Sequence, residues 1–260
     1  AGELVMPHTR FAACFAAFVR CSLIASVSAF LLSCAALTAS APPTDNASRP
    51  LPARKPLQSV VIDEFTHDTQ VLRTSDYAFV QAWWIPVEFW QAALSQVNPA
   101  LAQQSLDVLK PYSMLAVVQA DVTALGGFVF YPRDDLQQRL QLQWQPSRGE
   151  AVTLHPVSQP NSTLQNLVTQ LSPLLSRAMG EMGRNMQFFV FEDVKADGTR
   201  VTDPYSAGTL RVNLAPSETQ AAAQLDIELP VNALYEPRLC ANGKPAHISW
   251  QYCPWDGQPL

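Results

Sequence analysis

Charge is scarce in this chain, and basic charge is the scarcest kind. Charged residues make up 15% of 260 positions, against 48% hydrophobic ones. From Leu57 onward there are twelve Lys and Arg against twenty Asp and Glu, a net of −8. No basic stripe interrupts that acidic body. This argues against nucleic acid as a partner, because phosphate neutralisation needs clustered cations. It argues equally against a broad electrostatic dock on anionic lipid. Histidine is rare as well: beyond the opening segment only His67, His155 and His247 occur. There is no G-x-S-x-G elbow, no H-E-x-x-H and no P-loop, so the local signatures of three large enzyme classes are missing. What remains is an apolar share typical of a globular protein rather than a disordered one.

Acidic residues are missing from one stretch in particular, between Glu3 and Asp45. With Met6 read as the initiator, Arg10 and Arg20 precede an uncharged run from Cys21 to Thr44 whose apolar heart is Leu23–Leu32. That order is the n-region and h-region of a secretory signal. The run ends in Leu31-Leu32-Ser33-Cys34, which resembles the bacterial lipobox: an aliphatic residue at −3, a small one at −1, then the acylated Cys. The resemblance implies lipidation of Cys34. Ala35 in place of Asp implies an outer-membrane lipoprotein facing the periplasm. More than one acyl chain makes such an anchor stable. Two other readings stay open. Ordinary cleavage near Ala39-Ser40-Ala41 is one, with Pro42 against it. An uncleaved helical anchor is the other, since about 20 uncharged residues can span a bilayer. All three place the body outside the cytoplasm. Residues 1–34 are therefore signal and lipobox, and residues 35–56 (AALTASAPPTDNASRPLPARKP) form a flexible tether.

Residues 57–235 read as a globular domain. Leu57–Phe65, with Val60, Val61 and Ile62, is expected as a first strand. Asp76–Trp84 is a second, apolar on both faces and so buried on both. Pro86 starts a helix carrying Val87, Trp90, Leu94 and Val97. Asn98-Pro99 caps a second helix that ends before Pro111. Strands follow at Ser113–Val122, Gly127–Tyr131 and Leu140–Trp144, with Ala151–Val157 a further candidate. The Leu140 strand alternates Leu and Trp with Arg and Gln, the pattern of a half-exposed strand. Residues 161–183 read as helix, with Pro173 opening its second half. Asn185–Phe191, Thr209–Leu214 and Gln224–Leu229 return to strand, with a turn at Asp197-Gly198. The expected fold is α+β: a mainly antiparallel sheet with helices on one face. A β-sandwich with helical insertions is the alternative.

Residues 236–260 change character. Tyr252-Cys253-Pro254-Trp255-Asp256-Gly257 and Cys240-Ala241-Asn242-Gly243 resemble the two knuckles of a zinc ribbon. Asp256 stands where one Cys of the C-P-x-C-G pattern belongs, and the first knuckle is a residue short and lacks its second Cys. Three states of this tail are open. One is a Cys240–Cys253 disulfide: these are the only cysteines after the export signal, and the compartment would be oxidising. A second is a zinc site built from Cys240, His247, Cys253 and Asp256, four ligands adequate for tetrahedral Zn²⁺. The third is a pair of free thiols.

Four other features carry chemistry on paper. Asp63-Glu64-Phe65-Thr66-His67-Asp68 sets carboxylates beside an imidazole, the pieces of acid–base catalysis. Against that, a strand would divide them between faces. Tyr77, Phe79, Trp83, Trp84, Phe89 and Trp90 could stack sugar rings, although core packing fits their pattern better. Met179, Met182 and Met186 resemble Cu(I)-binding methionine clusters, or else fill a core. Asp134-Asp135 suggests a hard cation or a solvated turn. The function expected is a non-enzymatic envelope lipoprotein, with the membrane as partner through its lipid and a protein or cell-wall partner of unknown identity. A metal- or small-ligand-binding protein using the tail is the alternative. An enzyme using residues 63–68 is the second.

Overall fold

Apolar runs broken by Pro, Gly and short polar turns build two antiparallel sheets with helices between the strands. The computed structural model describes residues 50–260, apart from 76, 96–98 and 218–220. In chain order come α1 (Ile62–Thr69), β1 (Gln70–Thr74), β2 (Ala78–Ile85), α2 (Val87–Leu94) and α3 (Pro99–Leu109). Then come β3 (Tyr112–Val122), β4 (Phe128–Phe130), α4 (Arg133–Arg139), β5 (Leu140–Pro146) and β6 (Val152–Leu154). α5 (Ser162–Met179), α6 (Glu181–Arg184), β7 (Gln187–Glu192), β8 (Gly208–Leu214) and β9 (Ala223–Leu229) follow. β10 (Arg238–Leu239) and β11 (Pro245–Ala246) close the chain as a separate ribbon. Cys34, the lipobox, most of the tether and the Asn98 cap lie outside the described residues.

β3 is the hub of the first sheet. One of its edges takes β2, from Ala78↔Asp121 to Ile85↔Met114. Its other edge takes β7 over Tyr112–Val117 and β4 over Ala120–Val122, end to end. β1 pairs with the far side of β2. A strand with neighbours on both edges and packing on both faces needs a continuous apolar run, and Ser113 through Ala120 are all buried. The second sheet has the order β6-β5-β8-β9. Here β5 alternates as expected, with Leu140, Leu142 and Trp144 inward and Gln141 exposed. The sheets meet where Pro156 bridges Phe191 and the Val157 amide donates to the Val190 carbonyl at 2.8 Å. One core runs through both, with Trp84, Phe189, Phe191, Leu142 and Leu210 almost fully buried. The fold is mixed α+β and antiparallel, with the strands divided between two open sheets.

Two local expectations are corrected. Leu57–Phe65 is not a strand but a 3-10 turn at Leu57–Ser59 followed by α1. The β-branched triplet misled, because the polar pattern after it is helical. Asp63 and Glu64 fall in the first turn and His67 in the last, where the helix dipole favours each sign. Asp134-Asp135 is likewise no turn: Pro132 caps α4, both carboxylates sit in its first turn, and Asp135 pairs with Arg139 one helical turn on. Arg139 is buried yet satisfied, since it also donates to the Gln119 side chain and the Ala215 carbonyl.

A groove between the first helix and the C-terminal tail

Helical rather than extended geometry decides what the segment 63–68 presents. Phe65 and Thr69, four residues apart, turn inward and are fully buried, with the Thr69 hydroxyl donating to the Phe65 carbonyl at 2.9 Å. Asp63, Glu64, His67 and Asp68 then share the opposite face, as i, i+1, i+4 and i+5 must on a 3.6-residue repeat.

The tail supplies the facing wall. Cys240 and Cys253 are bonded to each other with their Cα atoms 5.7 Å apart, a normal span for a cystine. Each opens a tight loop. The Gly243 amide donates to the Cys240 carbonyl and the Gly257 amide to the Cys253 carbonyl, both at 2.9 Å. Both glycines take positive φ, 77° and 68°, which a Cβ would disfavour. Each cysteine thus opens a turn closed by a glycine, and the two turns are joined by the cystine. The four candidate zinc ligands are not brought together. Both sulfurs are spent on each other, the His247 Nδ1 contacts the Ser249 hydroxyl at 2.7 Å, and Asp256 accepts from the Gln258 amide. Cys240, Ala246, Cys253 and Leu260 form a small cluster of their own. The tail docks onto the body through Ile248, which is buried in the main core while its amide donates to the Asn232 side chain at 3.0 Å.

Between α1 and the tail lies a groove of 590 Å³ lined by His67, Asp68, Tyr235, His247 and Trp250, with Asp63 and Glu64 on the same helical wall. Its groups are held from within. Asp68 accepts the Ala233 amide at 2.7 Å and lies 3.8 Å from His67 Nδ1. Burial pushes the Asp68 carboxyl up, against the pull of that amide and the two imidazoles. Burial pushes His247 down, with Asp68 opposing. The Ser249 amide donates to His247 Nδ1 at 3.2 Å. That nitrogen is therefore the acceptor, and in the neutral ring the proton sits on Nε2. The groove can thus offer an N–H donor, a carboxyl and an indole face to a ligand. Asp68 and His247 act on each other through space, with no ion pair between them among the described residues.

The other candidates are placed as follows. Phe79, Trp84, Phe89 and Trp90 are core residues, packed edge to face, as in Trp83–Phe89 at 5.4 Å and Phe65–Phe89 at 5.6 Å. Tyr77 alone of that group is well exposed. Met186 is buried, and Met179 and Met182 pack on the same core. Three further exposed aromatics lie on the tail, at Trp250, Tyr252 and Trp255, and one on β4, Phe128.

No family model matches the chain. No curated protein matches it either. Among solved structures, a DUF4426 family protein from Pseudomonas aeruginosa PAO1 is similar over 62% of this chain and 92% of its own, at 10% identity and a TM-score of 0.28. A likeness that loose assigns no function.

One polar cluster had no sequence signal. Asp193 is fully buried and accepts from the Thr202 amide at 2.7 Å, the Thr202 hydroxyl and Arg200 at 2.6 Å. Arg200 also reaches Glu88 on α2 at 3.7 Å. Asp193, Arg200 and Thr202 meet across the Asp197-Gly198 turn, whereas Glu88 is distant in sequence and only the fold brings it to Arg200.

Proposed function

We propose that this chain is a membrane-tethered protein of the bacterial cell envelope, an outer-membrane lipoprotein facing the periplasm, whose folded body is a non-enzymatic binding or assembly module. The groove between α1 and the tail is its site. One observation carries the site: residues some 180 positions apart in sequence, Asp68 and His247, face one hollow whose tail wall is held by a cystine. A cystine is at home outside the cytoplasm, which supports the export reading of Cys34. Asp68 and His247 Nδ1 are held by hydrogen bonds within the protein, which fixes the two side chains in place, an arrangement suited to a preformed recognition surface. Its partner is a protein or cell-wall component.

Two measurements test this. Intact-mass analysis of the chain made in a bacterial host is expected to show diacyl or triacyl modification at Cys34. Recovery of soluble cytosolic protein with its leader intact and unmodified refutes the tether. A photocrosslinking residue at His67 is expected to trap discrete adducts in the envelope that the same residue at exposed Gln137 does not. Identical adducts from both positions remove the groove as the site. The second reading is an enzyme centred on Asp68, favoured by the upward displacement of its carboxyl, a property of general acids. Loss of a turnover in Asp68→Asn with groove crosslinks retained supports that reading over the first.

A further inference from the structure

Leu51, Leu239, Trp250, Tyr252 and Trp255 are large apolar side chains left exposed on the first residues of the body and on the tail. Arg238 ties those segments together. Its guanidinium donates to the Trp250 carbonyl at 3.2 Å and to the Pro50 carbonyl at 3.4 Å. Beside it the Lys55 amide donates to Leu234 and the Glu236 amide to Ala53, both at 2.8 Å. Those bonds hold the first described residues against the strand that leads into the tail. The chain therefore runs out of the domain, at Pro50, directly beside the aromatic loop. Only residues 35–49 separate Pro50 from Cys34, and fifteen residues reach no farther than about 50 Å in any arrangement.

The chemistry of this end is interfacial. The Trp250 and Trp255 rings meet edge to face at 6.2 Å, and the Lys244 ammonium lies 5.1 Å from the Trp255 ring centre. Tryptophan and tyrosine concentrate at the headgroup level of bilayers because one end of each ring is apolar and the other wet. A lysine stem lies along such apolar surface while its head stays in water. Electrostatic attraction is not needed, which suits an acidic body. The cystine between Cys240 and Cys253 keeps the loop that bears these rings in one shape.

We propose that the Leu51–Leu239–Trp250–Tyr252–Trp255 face rests on the lipid–water interface of the membrane that holds the Cys34 anchor, and so fixes which way the groove opens. The inference depends on the tether reading for its short distance to the bilayer. The test separates the two. The full chain, processed in a bacterial host, is placed in vesicles of phosphatidylethanolamine and phosphatidylglycerol whose acyl chains are brominated near the headgroup. Trp250 and Trp255 are two of six tryptophans, while Trp84, Trp90 and Trp144 are buried. Roughly a third of the emission, its red edge, is expected to be quenched at low and at high salt, as interfacial rings would be. The double variant Trp250→Leu, Trp255→Leu is expected to lose that quenched fraction. If the variant does not fold, quenching of the parent protein decides alone. Acylation at Cys34 without quenching overturns the aromatic contact and leaves the tether standing. Quenching without acylation keeps the contact and removes the lipid tether. Absence of both overturns both.

Discussion

Opening the Cys240–Cys253 bond isolates what the cystine contributes to the groove. The bond spans thirteen sequence steps, and closing a loop of that size restricts the unfolded tail by about 3 kcal/mol on a chain-entropy argument. Little else holds the tail. β10 and β11 are two residues each, and a ribbon that short is not stable by itself. Beyond it stand the burial of Ile248, its amide bond to Asn232, the Glu236 amide bond to Ala53 and the bonds of Arg238 to Trp250 and Pro50. Replacing both cysteines by serine is therefore expected to open residues 236–260 locally, not to unfold the body. Hydrogen exchange reads this directly. The Cys240, Cys253 and Gly257 amides are bonded to Lys244, Gln258 and Cys253, and in the variant they are expected to lose about 10²-fold of protection, the equivalent of that 3 kcal/mol. Amides along β3 are expected to keep theirs. The imidazole of His247 is expected to titrate closer to 6.5, because the burial that lowers it would be lost. The pH dependence has a fixed sign. A histidine depressed in the fold keeps the docked tail stable above 6.5 and loses that stability as pH falls through the ordinary value toward the depressed one. Unchanged protection of the three tail amides refutes the cystine's role. Loss of protection in β3 as well refutes the claim that the opening is local.

Three further outcomes follow from the buried charges. Glu88 is pushed above 4.5 chiefly by burial, with Arg200 opposing, so the fold favours its protonated form. That contribution is whole below 4.5 and is lost as pH rises through the raised value. Glu88→Gln is thus expected to melt above the parent at pH 7 and level with it near pH 4 by calorimetry; a lower melting temperature at pH 7 contradicts it. Asp193→Ala leaves the buried Thr202 without its acceptor and the half-buried Arg200 with only Glu88 at 3.7 Å, and denaturant titration is expected to show a loss of about 1–3 kcal/mol. Asp68→Asn keeps an oxygen for the Ala233 amide but removes the charge that raises His247. NMR titration is then expected to place His247 lower still than in the parent, and an upward shift would break the assigned coupling.

The strands were the legible part of this fold. Met114 to Val118 spells one apolar run, and its β-branched pair Val117-Val118 favours the strand that the structure buries on both faces. Leu140, Leu142 and Trp144 alternate with polar residues, and the structure turns those three inward. Helix starts were readable where a proline stood at the cap, as at Pro86. They were misread where β-branched residues led into the helix, because the dipole pattern of Asp63, Glu64 and His67 is weaker than the visual signal of Val60-Val61-Ile62. α4 was lost for a related reason. Its single inward apolar residue is Leu136, too little for a periodicity to register, and its stability comes from Asp135–Arg139 and from bonds Arg139 makes to β3 and to the end of β8.

The site was half legible, and the missing half is instructive. The segment 63–68 and the tail each drew notice for the residue types they hold, yet each was weak alone. Read as a strand, the first scattered its carboxylates over two faces. Wound as a helix, it gathers them on one, because Phe65 and Thr69 take the inner positions. Read as a zinc ribbon, the tail lacked half its ligands. The structure instead joins its two cysteines in a cystine, and the glycines at 243 and 257 turn the loops they open. What no local pattern contained is that Asn232, just past β9, meets both: its neighbour Ala233 donates to Asp68, and its own side chain accepts from Ile248. A short turn with bonds in two directions converts two unconvincing motifs into facing walls. Breaking either bond should therefore disturb both walls at once. Asn232→Ala is the change that would show whether the groove is one unit or two segments that happen to be adjacent.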